Sequence, residues 1–208
     1  DNTPRHLAKK FSELDLDGVH SIQRFDPSNS FDGTSHGETL DFAVKKAESD
    51  FIGVVDSDFF WFNPDILDDA CMHIDHLGYE CVGASAFYKD WSNNIDAFYP
   101  KRHSSLGPAC WGMFVKTELA QRFSFVCTPE EGSQMLYTGW RLRQHIIENN
   151  IKNLTFQGFY PYDNDDQTIA YGEPAKPQGI HFLKGSAARA HMVETLLPKY
   201  IEEGKAKW

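Results

Sequence analysis

Two carboxylates, Asp56 and Asp58, flank Ser57 in the stretch FIGVVDSDFFWFNPD (51 to 65), after a short apolar run and before Phe59, Phe60, Trp61 and Phe62. On an extended chain residues i and i+2 project to the same side, so the two acids can converge on one point. Like charges placed together are unfavourable unless a cation lies between them or one stays protonated. Hard divalent ions such as Mg²⁺ and Mn²⁺ take this kind of ligand, often one or two carboxylates completed by substrate phosphates and water. A metal-bound diphosphate is the natural partner for such a pair. The plainer alternative is that both acids cap the turn into the next helix, since D-x-D is a short and common pattern.

The elements that must position the pair can be read from periodicity. TPRHLAKKFSEL (3 to 14) has helical apolar spacing behind a Thr cap and a first-turn Pro, and GVHSIQRF (18 to 25) alternates as a strand does. DPSNSFDGTSHG reads as a loop, and GETLDFAVKKAES (37 to 49) as a helix with Leu40, Ala43, Val44 and Ala47 on one face. FIGVV (51 to 55) reads as a buried strand from the centre of a sheet. NPDILDDACMHIDHLG (63 to 78) predicts a helix capped by Asn63 and stopped at Gly78, and CVGASAFY a further strand.

Further on, ACWGMFVK (109 to 116) predicts a strand, TELAQRF a short helix and GSQMLYTGWRLRQHIIENN (132 to 150) a longer one. NLTFQGFY predicts a strand, PYDNDDQTIAYGEPAKPQ a long loop, GIHFL a short strand and AARAHMVETLLPKYIEE a final helix. The helix–strand alternation predicts one α/β domain over residues 1 to 208, with a mostly parallel central sheet flanked by helices. In such sheets ligands collect at the carboxyl ends of the strands, where Asp56 and Asp58 fall.

A net charge of −10 over 208 residues argues against non-specific nucleic-acid binding, which needs clustered Lys and Arg. It also means that a phosphorylated ligand needs help from a metal or a local basic patch. No apolar run is long enough for a membrane span, although peripheral association with a membrane stays open. The four cysteines are far apart and form no C-x-x-C pair, which fits a reducing, cytoplasmic setting better than a disulfide framework.

The run from GETLDFAVKKAES to DFIGVVDSDFFW resembles the central signature of GT-A glycosyltransferases, particularly the large inverting family 2. Downstream, GPACWGMFVKTELAQRF is similar to that family's acceptor-side strand and short helix, TGWRLRQHI to the helix beneath the acceptor, and GIHFLKGSAAR to its late His-containing strand and loop. The likeness spans residues 1 to 190 loosely and is strong only at 36 to 62. It implies a GT-A (Rossmann-like) fold and metal-dependent transfer of a sugar from a UDP- or GDP-sugar to the hydroxyl of a carbohydrate acceptor, as in polysaccharide biosynthesis. By the same likeness Asp56 contacts the ribose or reaches the metal through water, and Ser57 belongs to the donor site. Asp58 coordinates the Mn²⁺ or Mg²⁺ directly, His181 is the third protein ligand, and Ser186 and Arg189 lie near the diphosphate.

Two departures accompany the likeness. The family's acid ahead of the helix is replaced by Tyr137 and Thr138, which leaves Glu131 or Glu130 as the general base, unless both are ordinary first-turn acids favourable to the helix dipole. Asp163, Asp165 and Asp166 are further acids, or a solvated loop. The family's first strand, and nearly all of its second, are missing from the front, where Asp1 and Asn2 resemble the second strand's end. The chain is therefore expected to be N-terminally truncated. His36 falls where a donor-side loop belongs. Of the aromatic residues Trp61, Trp91, Tyr99, Trp111 and Trp140, the last two are assigned to the acceptor pocket, where a ring can pack against a pyranose face.

Two other readings remain. A haloacid-dehalogenase-like phosphatase also carries D-x-D after a strand, with Asp56 as nucleophile, but Phe60 stands where Thr or Val belongs. A domain of the same fold that binds a nucleotide or glycan without turning it over would account for the missing front strands and the missing acid.

Overall fold

The structure is a computed structural model and describes residues 32–56, 59–88, 107–133, 138–159, 168–173 and 176–182. The expected helix at 3 to 14, the strand at 18 to 25 and the C-terminal helix lie outside the described residues. So do Ser57, Asp58, Trp91, Tyr99, Tyr137, Asp163, Asp165, Asp166, Ser186 and Arg189.

Helix α1 (Asp32–Lys46) leads into β1 (Phe51–Val55). The helix begins five residues before the predicted start and absorbs the Ser/His/Gly segment, because that segment docks on the chain at 124–127. Thr34 Oγ1 donates to the Cys127 carbonyl at 2.9 Å, while the Asp41 carboxylate accepts from the Phe125 N–H at 2.6 Å and the Ser124 hydroxyl at 2.7 Å. Gly37 lets the two backbones touch: a Cβ there would lie 2.3 Å from the Val126 Cα. Tertiary contact therefore extends a helix whose local sequence reads as loop.

A three-residue strand follows the D-S-D, β2 (Phe59–Trp61), where the sequence predicts the approach to a helix. The helix itself is shorter, α2 (Ile66–Cys71), and runs into a π-helical turn at Met72–His76. Asn63 forms a side-chain turn instead of the cap, its Oδ1 accepting from the Asp65 N–H at 3.0 Å. Gly78 closes the segment at φ +68°, as expected of a stop.

Strands β3 (Cys81–Tyr88) and β4 (Pro108–Lys116) fall where predicted. Then come α3 (Thr117–Ala120), α4 (Pro129–Ser133), α5 (Trp140–Glu148) and β5 (Asn153–Phe159). The expected long loop contains β6 (Thr168–Glu173) and the start of β7 (Lys176–Phe182).

The seven strands among the described residues join one sheet in the order β1-β4-β3-β5-β6-β7-β2. The fold is α/β, but the expected mostly parallel sheet is not found: only β3 and β5 pair in parallel, and every other neighbour is antiparallel. Chain geometry gives the reason for part of this. Two residues join β6 to β7, and so short a connection can make only a hairpin, whereas a parallel pair needs a crossover of a dozen residues or more. The β3–β5 pair has such a crossover, with helices in it.

The expected central position of FIGVV is also corrected. Among the described residues β1 is an end strand, with Gly53 exposed and Val55 48% exposed, and β4 is the strand covered on both faces. A short apolar run cannot distinguish one covered face from two.

Each face of the sheet carries a core. Val44 of α1, Leu119 of α3 and Leu142 and Ile146 of α5 pack with Val54, Cys81, Met113 and Val115 on one side. On the other, Ile66, Ala70 and Ile74 cover Val82 and Phe114, and an aromatic group of Phe59, Trp61, Trp111, Phe156 and Tyr171 continues that layer.

The sheet curls, so that its two end strands meet. The Phe59 N–H donates to the Asp56 carbonyl at 3.0 Å, where β1 ends and β2 begins. The Phe59 ring lies over two glycines on other strands: a Cβ on Gly112 would be 2.7 Å from its Cζ, and one on Gly179 3.0 Å. Glycine inside a strand marks such a close approach. Asp56 and Phe59 thus stand at opposite ends of the strand order.

Candidate functional site

Asp56 is fixed from its backbone outward. Its N–H donates to the Trp111 carbonyl at 3.0 Å, extending the β1–β4 ladder by one residue beyond the Val55–Gly112 pair. Its carboxylate is 27% exposed, and Oδ1 stands 3.5 Å from Nε2 of His36. His36 therefore reaches Asp56 from the second turn of α1, not from a loop.

His181 arrives from the other edge. It is 8% exposed on β7 and is the register partner of Phe59, the residue that follows Asp58 in the chain. Its ring stacks on Trp111, with centroids 5.3 Å apart and planes at 26°, and lies 6.0 Å from the ring of Phe59. Trp111, expected on the acceptor side, bridges two of the candidate ligands: its carbonyl accepts from the Asp56 N–H and its indole covers His181. The indole N–H donates to the Tyr171 hydroxyl at 3.1 Å, and Tyr171 is wholly buried.

Trp140 begins α5, half-buried, with the Arg141 guanidinium 4.8 Å from its ring centroid. Gly139 before it has φ +73° and is pressed against Cys110.

Glu131 is occupied locally. Its Oε2 accepts from the Thr128 N–H at 2.9 Å, while the Glu131 N–H donates to Thr128 Oγ1 at 3.3 Å, a reciprocal capping box at the start of α4. Its other oxygen pairs with Arg141, whose guanidinium also donates to the Val126 carbonyl. Glu130, one residue earlier, is exposed. The T-x-x-E spacing in CTPEEGS already carries the capping-box signature, so this role was legible in the sequence beside the catalytic one.

Among the described residues no three His, Cys, Asp or Glu side chains surround a common point, and Asp58 is not among them. A cleft of about 400 Å³ lies at the far end of β1, lined by Asp50, Asp75, Lys116, Thr117 and Gln121, and includes none of the residues around Asp56.

All four cysteines are free thiols. Burial pushes Cys110 well above the ordinary thiol range, the Asp56 carboxylate adds to this, and the Arg143 guanidinium opposes it. Burial raises Cys81 in the same way, with Glu80 adding, and it raises Cys127. Cys71 is half-buried. A thiol reagent at neutral pH is therefore expected to modify one cysteine in the folded chain and all four after unfolding, as counted by mass spectrometry. More than one rapid modification in the folded chain would contradict this packing.

Tyr171, Phe59 and Arg143 were not singled out by the sequence. The alternation in TIAYGE was the available signal for Tyr171, masked by neighbouring Asp, Gly and Pro.

No protein family, no curated protein and no solved structure matches the chain. Among the described residues no helix is long and apolar enough to cross a membrane.

Proposed function

We propose that the chain is a metal-dependent glycosyltransferase domain that takes a UDP- or GDP-sugar as donor and a carbohydrate hydroxyl as acceptor. One observation supports this above the others. The sheet brings Asp56 and His181, distant in sequence, to the same residue, Trp111, whose carbonyl accepts from the Asp56 N–H and whose ring stacks on His181; in the sequence Asp58 precedes Phe59, the register partner of His181. Carboxylate and imidazole donors gathered where two strand ends meet are suited to a divalent cation. The mixed set favours Mn²⁺ over Mg²⁺, which prefers oxygen ligands.

On this reading Asp58, Asp56 and His181 would hold the ion, and His36 would lie beside the donor. The bound ion would supply charge neutralisation of the departing diphosphate, which an acidic protein otherwise lacks. Asp56 orients the donor through a carboxylate whose backbone is fixed on both sides. Trp111 closes one wall and keeps water from His181. The general base would be Glu130 or Glu131, the second of which would first have to give up its contacts to the Thr128 N–H or to Arg141. Inversion rests on the sequence resemblance alone, and a site in the cytoplasm on the spacing of the cysteines.

The commitment of Glu131 also favours a second reading, a domain of this fold that binds the sugar nucleotide without turning it over. The two share a binding prediction. With Mn²⁺ present, UDP or GDP at a hundred times its dissociation constant is expected to stabilise the fold by about 2.7 kcal/mol, seen as a rise in melting temperature. Neither nucleotide raising the melting temperature would count against both.

A further inference from the structure

We propose that Tyr171 is a positioning residue for the metal site, acting through Trp111 to fix the plane of the His181 ring. The proposal rests on the metal-binding reading of His181 given above.

A histidine that holds a metal is useful only if its ring is kept in one orientation, and groups behind the ligand normally provide this. Here an aromatic stack does so. The His181 ring lies on the Trp111 indole at 5.3 Å and 26°. An indole on a strand can still turn about its side-chain bonds unless its polar edge is tied. Its N–H is tied, at 3.1 Å, to the hydroxyl of Tyr171. Tyr171 has no exposed surface and packs with Phe59 and Ala84, so its hydroxyl is a fixed point. The backbone adds a second constraint: Tyr171 pairs with Gly179 and Ile169 with His181, so Tyr171 and His181 rise from one face of the β6–β7 hairpin. Gly179, without a side chain, leaves the space between them to Phe59.

Without the hydroxyl, the part-buried indole N–H loses its acceptor and turns toward another, because leaving a donor unsatisfied away from water is costly. The stack on His181 then loosens although no residue touching the ion has changed.

The test uses the full chain and two readouts. The first needs no metal: the His181 ring resonance, identified by its disappearance in His181→Ala, is expected to be shifted upfield by the indole and to move back in Tyr171→Phe. The second is Mn²⁺ affinity, followed by electron paramagnetic resonance of the free ion. Tyr171→Phe and Trp111→Phe are each expected to weaken it about tenfold, and the double variant no further than the weaker single one, because both act through one hydrogen bond. Full additivity, or an unmoved His181 resonance with Mn²⁺ uptake intact, overturns the role of Tyr171 alone. Failure of the unaltered chain to bind Mn²⁺ overturns the metal reading and the role built on it, wherever the resonance lies.

Discussion

Replacing Gly139 by Ala is expected to destabilise the fold by about 3 to 4 kcal/mol. Two penalties combine. Gly139 has φ +73°, which costs a side-chain-bearing residue about 1 to 2 kcal/mol. A Cβ there would also lie 2.0 Å from the Cys110 sulfur and 3.1 Å from Phe125 Cδ1, both buried, and overpacking of this kind costs about 1 to 3 kcal/mol. Relief would have to come from the start of α5. That helix carries Trp140 and the Arg141 that holds Glu131 and the Val126 carbonyl. Chemical denaturation should show a lower midpoint at an unchanged slope. Cys110→Ala should recover the steric part and leave the backbone part, so the two substitutions together should cost at least about 1 kcal/mol less than their sum. Simple additivity would mean that the sulfur and Gly139 are not in contact.

The second large effect falls on turnover, not stability. Asp56→Ala and Asp58→Ala are each expected to lower Mn²⁺-dependent turnover by about 10²- to 10³-fold, the range seen when one preorganised electrostatic group is removed from a reacting centre. For Asp56 the fold should barely change. The bonds that join the strands at this residue run from its N–H to Trp111 and from its C=O to Phe59, and both survive the substitution. Its carboxylate is part-exposed and stands 3.5 Å from His36, so that contact contributes little to stability. A loss of activity matched by a drop of many degrees in melting temperature would instead place Asp56 in the scaffold.

The sequence made some of this legible and hid the rest for physical reasons. Asp56 at a strand end and His181 on a short strand follow from apolar runs bounded by polar residues, and the structure places both so. The partnership between them does not follow, because register between strands far apart in sequence is set by packing. The ring of Phe59 against Gly112 and Gly179 decides it here. Sequence periodicity predicted a central FIGVV and a parallel sheet, since an apolar pentapeptide looks the same at an edge as at a centre. β6 and the start of β7 read as loop because Gly172, Pro174 and Pro177 obscure the alternation, and Tyr171 is hidden with them. Glu131 shows the reverse case: its capping-box spacing is plain in the sequence, and the fold engages both of its oxygens.

The central claim is best tested by incubating the full chain with a panel of UDP- and GDP-sugars, with Mn²⁺ or with chelator, and measuring nucleoside diphosphate release. The metal-dependent transferase predicts release from at least one donor with Mn²⁺, none with chelator, and loss in Asp58→Ala. Release that persists in chelator, or that Asp58→Ala leaves intact, would contradict it. A donor that binds and raises the melting temperature without any release would establish the binding-only domain instead.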